Sequence, residues 1–217
     1  MAVKTLRSHI PHLVTAMLLL LGMMTAATTQ AQAAPQRLAG SMTICSYSPV
    51  PPGWVVTRSA PSGSCGGRYE YTITELTTEA SVVVCSFSPI PPGWVVTRSA
   101  PSNKCAGVAY EYTIIQLTTQ ASVVVCSFSP IPLGWVVTRS APSNKCAGVA
   151  YEYTIIQLTT QTSVVVCSFS PVPPGWVVTR SAPSNRCAGV AYEYTIIQLT
   201  TQTSVVVCSF SPVPPGW

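Results

Sequence analysis

Of the 217 residues, 11 are Lys or Arg and 6 are Asp or Glu, so only 8% are charged, against about 25% in an ordinary soluble protein. The apolar share of 47% excludes a charged, disordered tail, and the length allows one or two domains or several small units. Both histidines, His9 and His12, lie at the N-terminus and there is no Asp, so a chain that lost its leader would contain neither residue.

Residues 1–33 read as a signal peptide. Lys4, Arg7 and His9 form a positive head, and an apolar stretch from Leu13 to Ala27 follows, centred on Leu18–Leu21. Ala31-Gln32-Ala33 then supplies the small-x-small pattern of a cleavage site. The apolar stretch is short of the 18 or more residues that span a bilayer, so no membrane span is expected after cleavage. Nine basic and six acidic residues then leave a net charge of +3, too weak and scattered to imply a nucleic-acid partner. The expected location is periplasmic, cell-surface or extracellular.

After a lead-in over residues 34–44, a repeat governs the rest. Cys45, Cys85, Cys126, Cys167 and Cys208 are separated by 40, 41, 41 and 41 residues. Trp54, Trp94, Trp135, Trp176 and Trp217 keep the same period, and Cys65, Cys105, Cys146 and Cys187 recur with them. The copies are residues 45–84, 85–125, 126–166 and 167–207, with a partial fifth at 208–217. Copies two to four differ only at Ile90/Ile131/Val172, Pro92/Leu133/Pro174, Lys104/Lys145/Arg186 and Ala121/Thr162/Thr203. The chain is a tandem array.

Within one unit, three runs favour a pleated, half-buried surface: Trp94 to Arg98, Tyr110 to Thr119, and Ser122 to Phe128 leading into the next copy. Pro91-Pro92-Gly93-Trp94 places proline and glycine at the centre of a type II turn. Leu133 replaces the central proline in copy three, but Gly134 keeps the turn possible. Pro101-Ser102-Asn103 with Ala106-Gly107 marks a longer loop, and Thr118-Thr119-Gln120 a turn. The fold class expected is all-β: a tandem array of ~41-residue, disulfide-stapled, three-stranded units.

A unit this small needs staples. Two regular schemes are open. Pairing within copies (Cys45–Cys65, Cys85–Cys105, Cys126–Cys146, Cys167–Cys187) leaves Cys208 over. Pairing across copies (Cys65–Cys85, Cys105–Cys126, Cys146–Cys167, Cys187–Cys208) leaves Cys45. Each loop closed is worth about 3 kcal/mol in the chain-entropy model. Cysteines twenty residues apart, with no histidine nearby and no C-x₂-C spacing, do not read as a metal site.

The chemistry narrows by elimination. A mature chain without His or Asp has no Ser-His-Asp or Cys-His triad. Copies two to four hold one carboxylate each (Glu111, Glu152, Glu193), which gives no acid pair for glycoside hydrolysis and no calcium loop. Phosphate-binding glycine loops are absent. No enzyme, cofactor or metal is expected. A membrane barrel is disfavoured by Pro214-Pro215-Gly216, which would break a final strand.

Three features remain. Trp54, Trp94, Trp135 and Trp176, with the recurring tyrosines, are either core groups or aromatics that bind an extracellular protein or glycan. Thr57-Arg58-Ser59-Ala60-Pro61, repeated at Thr97, Thr138 and Thr179, is similar to the reactive loop of Bowman–Birk-type serine protease inhibitors. That resemblance implies specificity residues at Arg58, Arg98, Arg139 and Arg180. The chain departs from the family at Val56, where the family has cysteine, at Ser62, where it has a second proline, and in the later position of Cys65. Finally, uncharged β-forming runs such as Ser81–Cys85 and Tyr112–Leu117 can pair edge to edge, which opens self-association. The expected function is binding or extracellular structure without catalysis, and the alternative is a multi-headed serine protease inhibitor.

Overall fold

Each group of three β-branched runs folds into one antiparallel sheet. A computed structural model describes residues 40–217 except Ala109, Ala150, Ala191 and 201–203; the signal-peptide reading of 1–33 lies outside the described residues. The strands are β1 (Ser41–Cys45), β2 (Trp54–Pro61) and β3 (Tyr69–Glu75) in the first unit, and β4 (Ser81–Cys85), β5 (Trp94–Pro101) and β6 (Tyr110–Gln116) in the second. The third holds β7 (Ser122–Cys126), β8 (Trp135–Pro142) and β9 (Tyr151–Gln157), and the fourth β10 (Ser163–Cys167), β11 (Trp176–Pro183) and β12 (Tyr192–Gln198). No helix occurs among the described residues, so none there is long and apolar enough to cross a membrane.

In every unit the last strand lies in the middle, giving orders β1-β3-β2, β4-β6-β5, β7-β9-β8 and β10-β12-β11. The first two strands of a unit are joined by the Pro-Pro-Gly-Trp turn. It closes with Trp94 N–H donating to the Pro91 carbonyl at 3.1 Å, and Gly93 at φ 80° supplies the positive angle that a type II turn requires. Leu133 leaves the turn intact: Trp135 N–H reaches the Pro132 carbonyl at 3.0 Å, and the leucine side chain is exposed. Residues 204–208, which repeat the Ser-Val-Val-Val-Cys sequence of β4, form no strand.

The disulfides join Cys45–Cys65, Cys85–Cys105, Cys126–Cys146 and Cys167–Cys187, and Cys208 is free. Pairing is therefore within copies. The topology explains the choice: Cys85 ends β4 opposite Glu111, and Cys105 lies in the loop joining β5 to β6, beside the start of the same central strand.

The units are not separate beads. One apolar cluster takes Val55 from the first sheet, Val84, Trp94, Val96 and Ile114 from the second, and the Cys126–Cys146 disulfide from the third. Val95, on the other face of the second sheet, packs with Val125, Trp135, Val137 and Ile155 of the third. This explains why Trp94, Val95 and Val96 are all buried. The strand is covered on both faces there, and its sequence is a continuous apolar run instead of an alternation. Ring pairs add to each junction, with Tyr71–Phe87 at 4.8 Å and Tyr112–Phe128 at 4.7 Å between centroids; such pairs contribute about 0.5–1.5 kcal/mol beyond their buried area.

Candidate functional site

The Thr-Arg-Ser-Ala-Pro segment sits in the second strand of each unit, and a bulge shapes it. Val56 faces Ile73 and Arg58 faces Thr72, so Thr57 is the extra residue. Its hydroxyl turns back to the Thr72 carbonyl at 3.3 Å and the Thr74 hydroxyl at 3.2 Å. The extra residue re-aims the strand. Arg58 and its equivalents Arg98, Arg139 and Arg180 point to solvent.

The far edge of this strand is taken by the next unit. Ser59 N–H donates to the Lys104 carbonyl at 3.0 Å, and Ala106 N–H donates to the Ser59 carbonyl at 3.2 Å. These two bonds make a parallel bridge between Ser59 and Cys105, repeated as Ser99 with Cys146 and Ser140 with Cys187. The Ser59 hydroxyl adds a third bond, to the Ala106 carbonyl at 2.7 Å. In the first three units the segment is thus paired on both edges, to β3, β6 or β9 on one side and to the following copy on the other. In the fourth unit Ser181 is exposed and makes no such bridge among the described residues, so the Arg180 segment is laddered to β12 alone.

In a parallel bridge, residues one step back from the bridged pair are also lateral neighbours, with side chains on the opposite side. Ser59 and Cys105 are buried, and Arg58 and Lys104 are exposed. Arg58 therefore stands beside Lys104 of the next unit, Arg98 beside Lys145 and Arg139 beside Arg186. The sequence reading singled out the strand arginines but not their neighbours, because the partners belong to successive copies. Among the described residues the single ion pair is Arg186–Glu193, at 3.2 Å. Glu111 and Glu152 instead accept bonds from Ser102 at 2.9 Å and Ser143 at 2.8 Å.

The tryptophans are placed differently. Trp94, Trp135 and Trp176 are 5%, 5% and 6% exposed and Trp54 is half-buried, so the indoles fill the clusters between sheets and offer little surface to a ligand. Shallow grooves do open between successive proline turns, one of them with Pro91 and Trp94 on one wall and Pro130 and Leu133 on the other. The phenols of Tyr112 and Tyr153 have pKa values pushed above 10.0 by burial. Among the described residues no three of His, Cys, Asp and Glu gather as a metal would need.

In comparison with known proteins, the chain matches no family model, no curated protein and no solved structure.

Proposed function

We propose that this is an exported, non-catalytic repeat protein that works by binding or by building extracellular structure, with copy number setting its reach. The observation that carries the reading is the construction of each core from consecutive units, which makes one continuous framework presenting the same exposed groups once per copy. Four disulfides favour an oxidising compartment outside the cytosol, and the leader-like N-terminus is consistent with delivery there. The inhibitor alternative has less support, because the Arg58 segment and its counterparts at Arg98 and Arg139 are paired on both edges.

Two measurements test the reading. A C-terminally tagged chain should be recovered outside the cytosol, oxidised, with its N-terminus after Ala33. Recovery of the uncleaved, reduced chain from the cytosol would overturn it. Trypsin mixed with the oxidised protein at micromolar concentration should keep full activity; stoichiometric inhibition would restore the inhibitor reading.

A further inference from the structure

The paired cations form a series that the sequence does not display. Arg58/Lys104, Arg98/Lys145 and Arg139/Arg186 each come from two units and immediately precede the residues of the parallel bridges Ser59–Cys105, Ser99–Cys146 and Ser140–Cys187. The path from one bridge to the next runs through a disulfide with Cα atoms 5.5 Å apart, two strand-to-strand steps and one residue. The backbones of neighbouring pairs, one residue off the bridge at each end, are therefore at most about 28 Å apart.

Like charges placed side by side across a ladder are destabilising. Here the arrangement recurs at three junctions on a chain with 8% charged residues. The side chains of Arg58, Arg98, Arg139, Lys104 and Lys145 make no hydrogen bond or ion pair among the described residues, so five of the six cations keep their charge available. Glu111 on β6 and Glu152 on β9 accept bonds from Ser102 and Ser143 and make no ion pair among the described residues. An anion seated between the two cations of a pair would relieve their repulsion. A guanidinium can in addition grip a carboxylate or sulfate through two parallel N–H bonds.

We propose that these junctions form a multivalent binding face for an acidic polysaccharide, one anionic group to each cation pair. The inference rests on the reading of the chain as an exported binding or structural protein and names its ligand class. The spacing favours such a polymer over a nucleic acid. Duplex DNA carries a charge about every 1.7 Å and is held by dense basic clusters, whereas these pairs are sparse. Charge screening over about 8 Å at physiological salt makes each pair a local site. A polymer that engages one pair then meets the next at raised effective concentration.

The test uses the oxidised mature chain and four probes: polygalacturonate for carboxylate, dextran sulfate for sulfate, neutral dextran, and duplex DNA. Binding is expected to one or both acidic polysaccharides, weakening at least about tenfold between about 50 and 300 mM salt, and the two arms identify the anion. Arg98→Gln and Arg180→Gln each remove one exposed arginine, the first from inside a pair and the second from the strand whose Ser181 makes no bridge to a following unit among the described residues. Arg98→Gln should weaken binding clearly more, and the triple change of Arg58, Arg98 and Arg139 to Gln should weaken it at least about tenfold. Unchanged labelling of Cys208 alone verifies that the variants are folded. Binding no tighter than to neutral dextran, equal effects of Arg98→Gln and Arg180→Gln, or tighter binding to DNA would each overturn the proposal. An exported chain that ignores both acidic polysaccharides removes this inference and leaves the proposed function standing.

Discussion

The Ser88 hydroxyl accepts a 2.9 Å hydrogen bond from the backbone N–H of Val56, which lies in the preceding unit. Val56 is fully buried and stands next to the bulge, so its N–H needs an acceptor from outside its own regular ladder. The same bond recurs from Val96 to Ser129 at 2.9 Å and from Val137 to Ser170 at 2.8 Å. Each serine hydroxyl also donates onward, Ser129 to the Pro130 carbonyl at 3.3 Å. A feature that re-aims one strand is thus completed by the turn of the next unit.

Ser129→Ala should therefore act on two units at once. It leaves the Val96 N–H buried without an acceptor, which costs about 1–3 kcal/mol. Thermal unfolding followed by circular dichroism should show a lower melting temperature, whereas Ser143→Ala, at a half-buried loop position, should lower it less. Equal effects would mean that the bond between units contributes nothing.

The pairing of the cysteines gives a second expected outcome. Alkylating the unreduced protein should label Cys208 alone, because the other eight cysteines are in disulfides. Replacing Cys126 and Cys146 together by Ala should destabilise by about 3 kcal/mol from the opened loop. A further loss is expected because that disulfide packs in a cluster with Val55, Val96 and Ile114. Labelling of four or more cysteines in the untreated chain would contradict the pairing.

How much of this was legible follows from the kind of signal involved. The strands were readable because β-branched runs alternate with Pro-Gly turns, and the turn at Leu133 was readable because Gly134 carries the positive φ. Ser99-Ala100-Pro101 was not readable as strand, since none of these residues favours it. They are held by register, Ser99 against Tyr112 and Pro101 against Tyr110. The cysteine spacing allowed two schemes, and only the central placement of β6 decides between them. The Arg58–Lys104 pair and the interleaved cores depend on how one copy docks on the next. No periodicity within a single copy carries that information.

Alkaline pH should loosen the array. Burial raises the pKa of Tyr112 and Tyr153 above 10.0 in the folded chain. The folded state thus holds these protons more tightly than the unfolded state, and stability falls as pH rises from about 10 through the folded values. Melting temperatures measured from pH 8 upward should be level until near 10.0 and then decline. Tyr112→Phe with Tyr153→Phe should flatten part of that decline while keeping the rings that pack on Phe128 and Phe169. An unchanged slope in the double variant would show that these two phenols do not drive it.

Copy number should set stability. A lone unit keeps its own disulfide and sheet but loses what its neighbours supply. For the second unit these are Val55 from before it, Cys126–Cys146 and Phe128 from after it, and the Ser129 acceptor for Val96. Both faces of Trp94-Val95-Val96 would then be partly uncovered, which gives back apolar burial worth about 25 cal/mol per Å². In a framework with nearest-neighbour interfaces, stability grows as interfaces accumulate. Oxidised chains of one, two and four copies should therefore melt at successively higher temperatures, with the largest step between one and two. The single copy should also exchange its amide protons faster, above all at Val96 and Ser99, whose N–H groups are bonded to the following unit. Coincident melting curves for all three lengths would mean that each unit is stable through its own disulfide alone, and the contacts between sheets would carry no weight in folding.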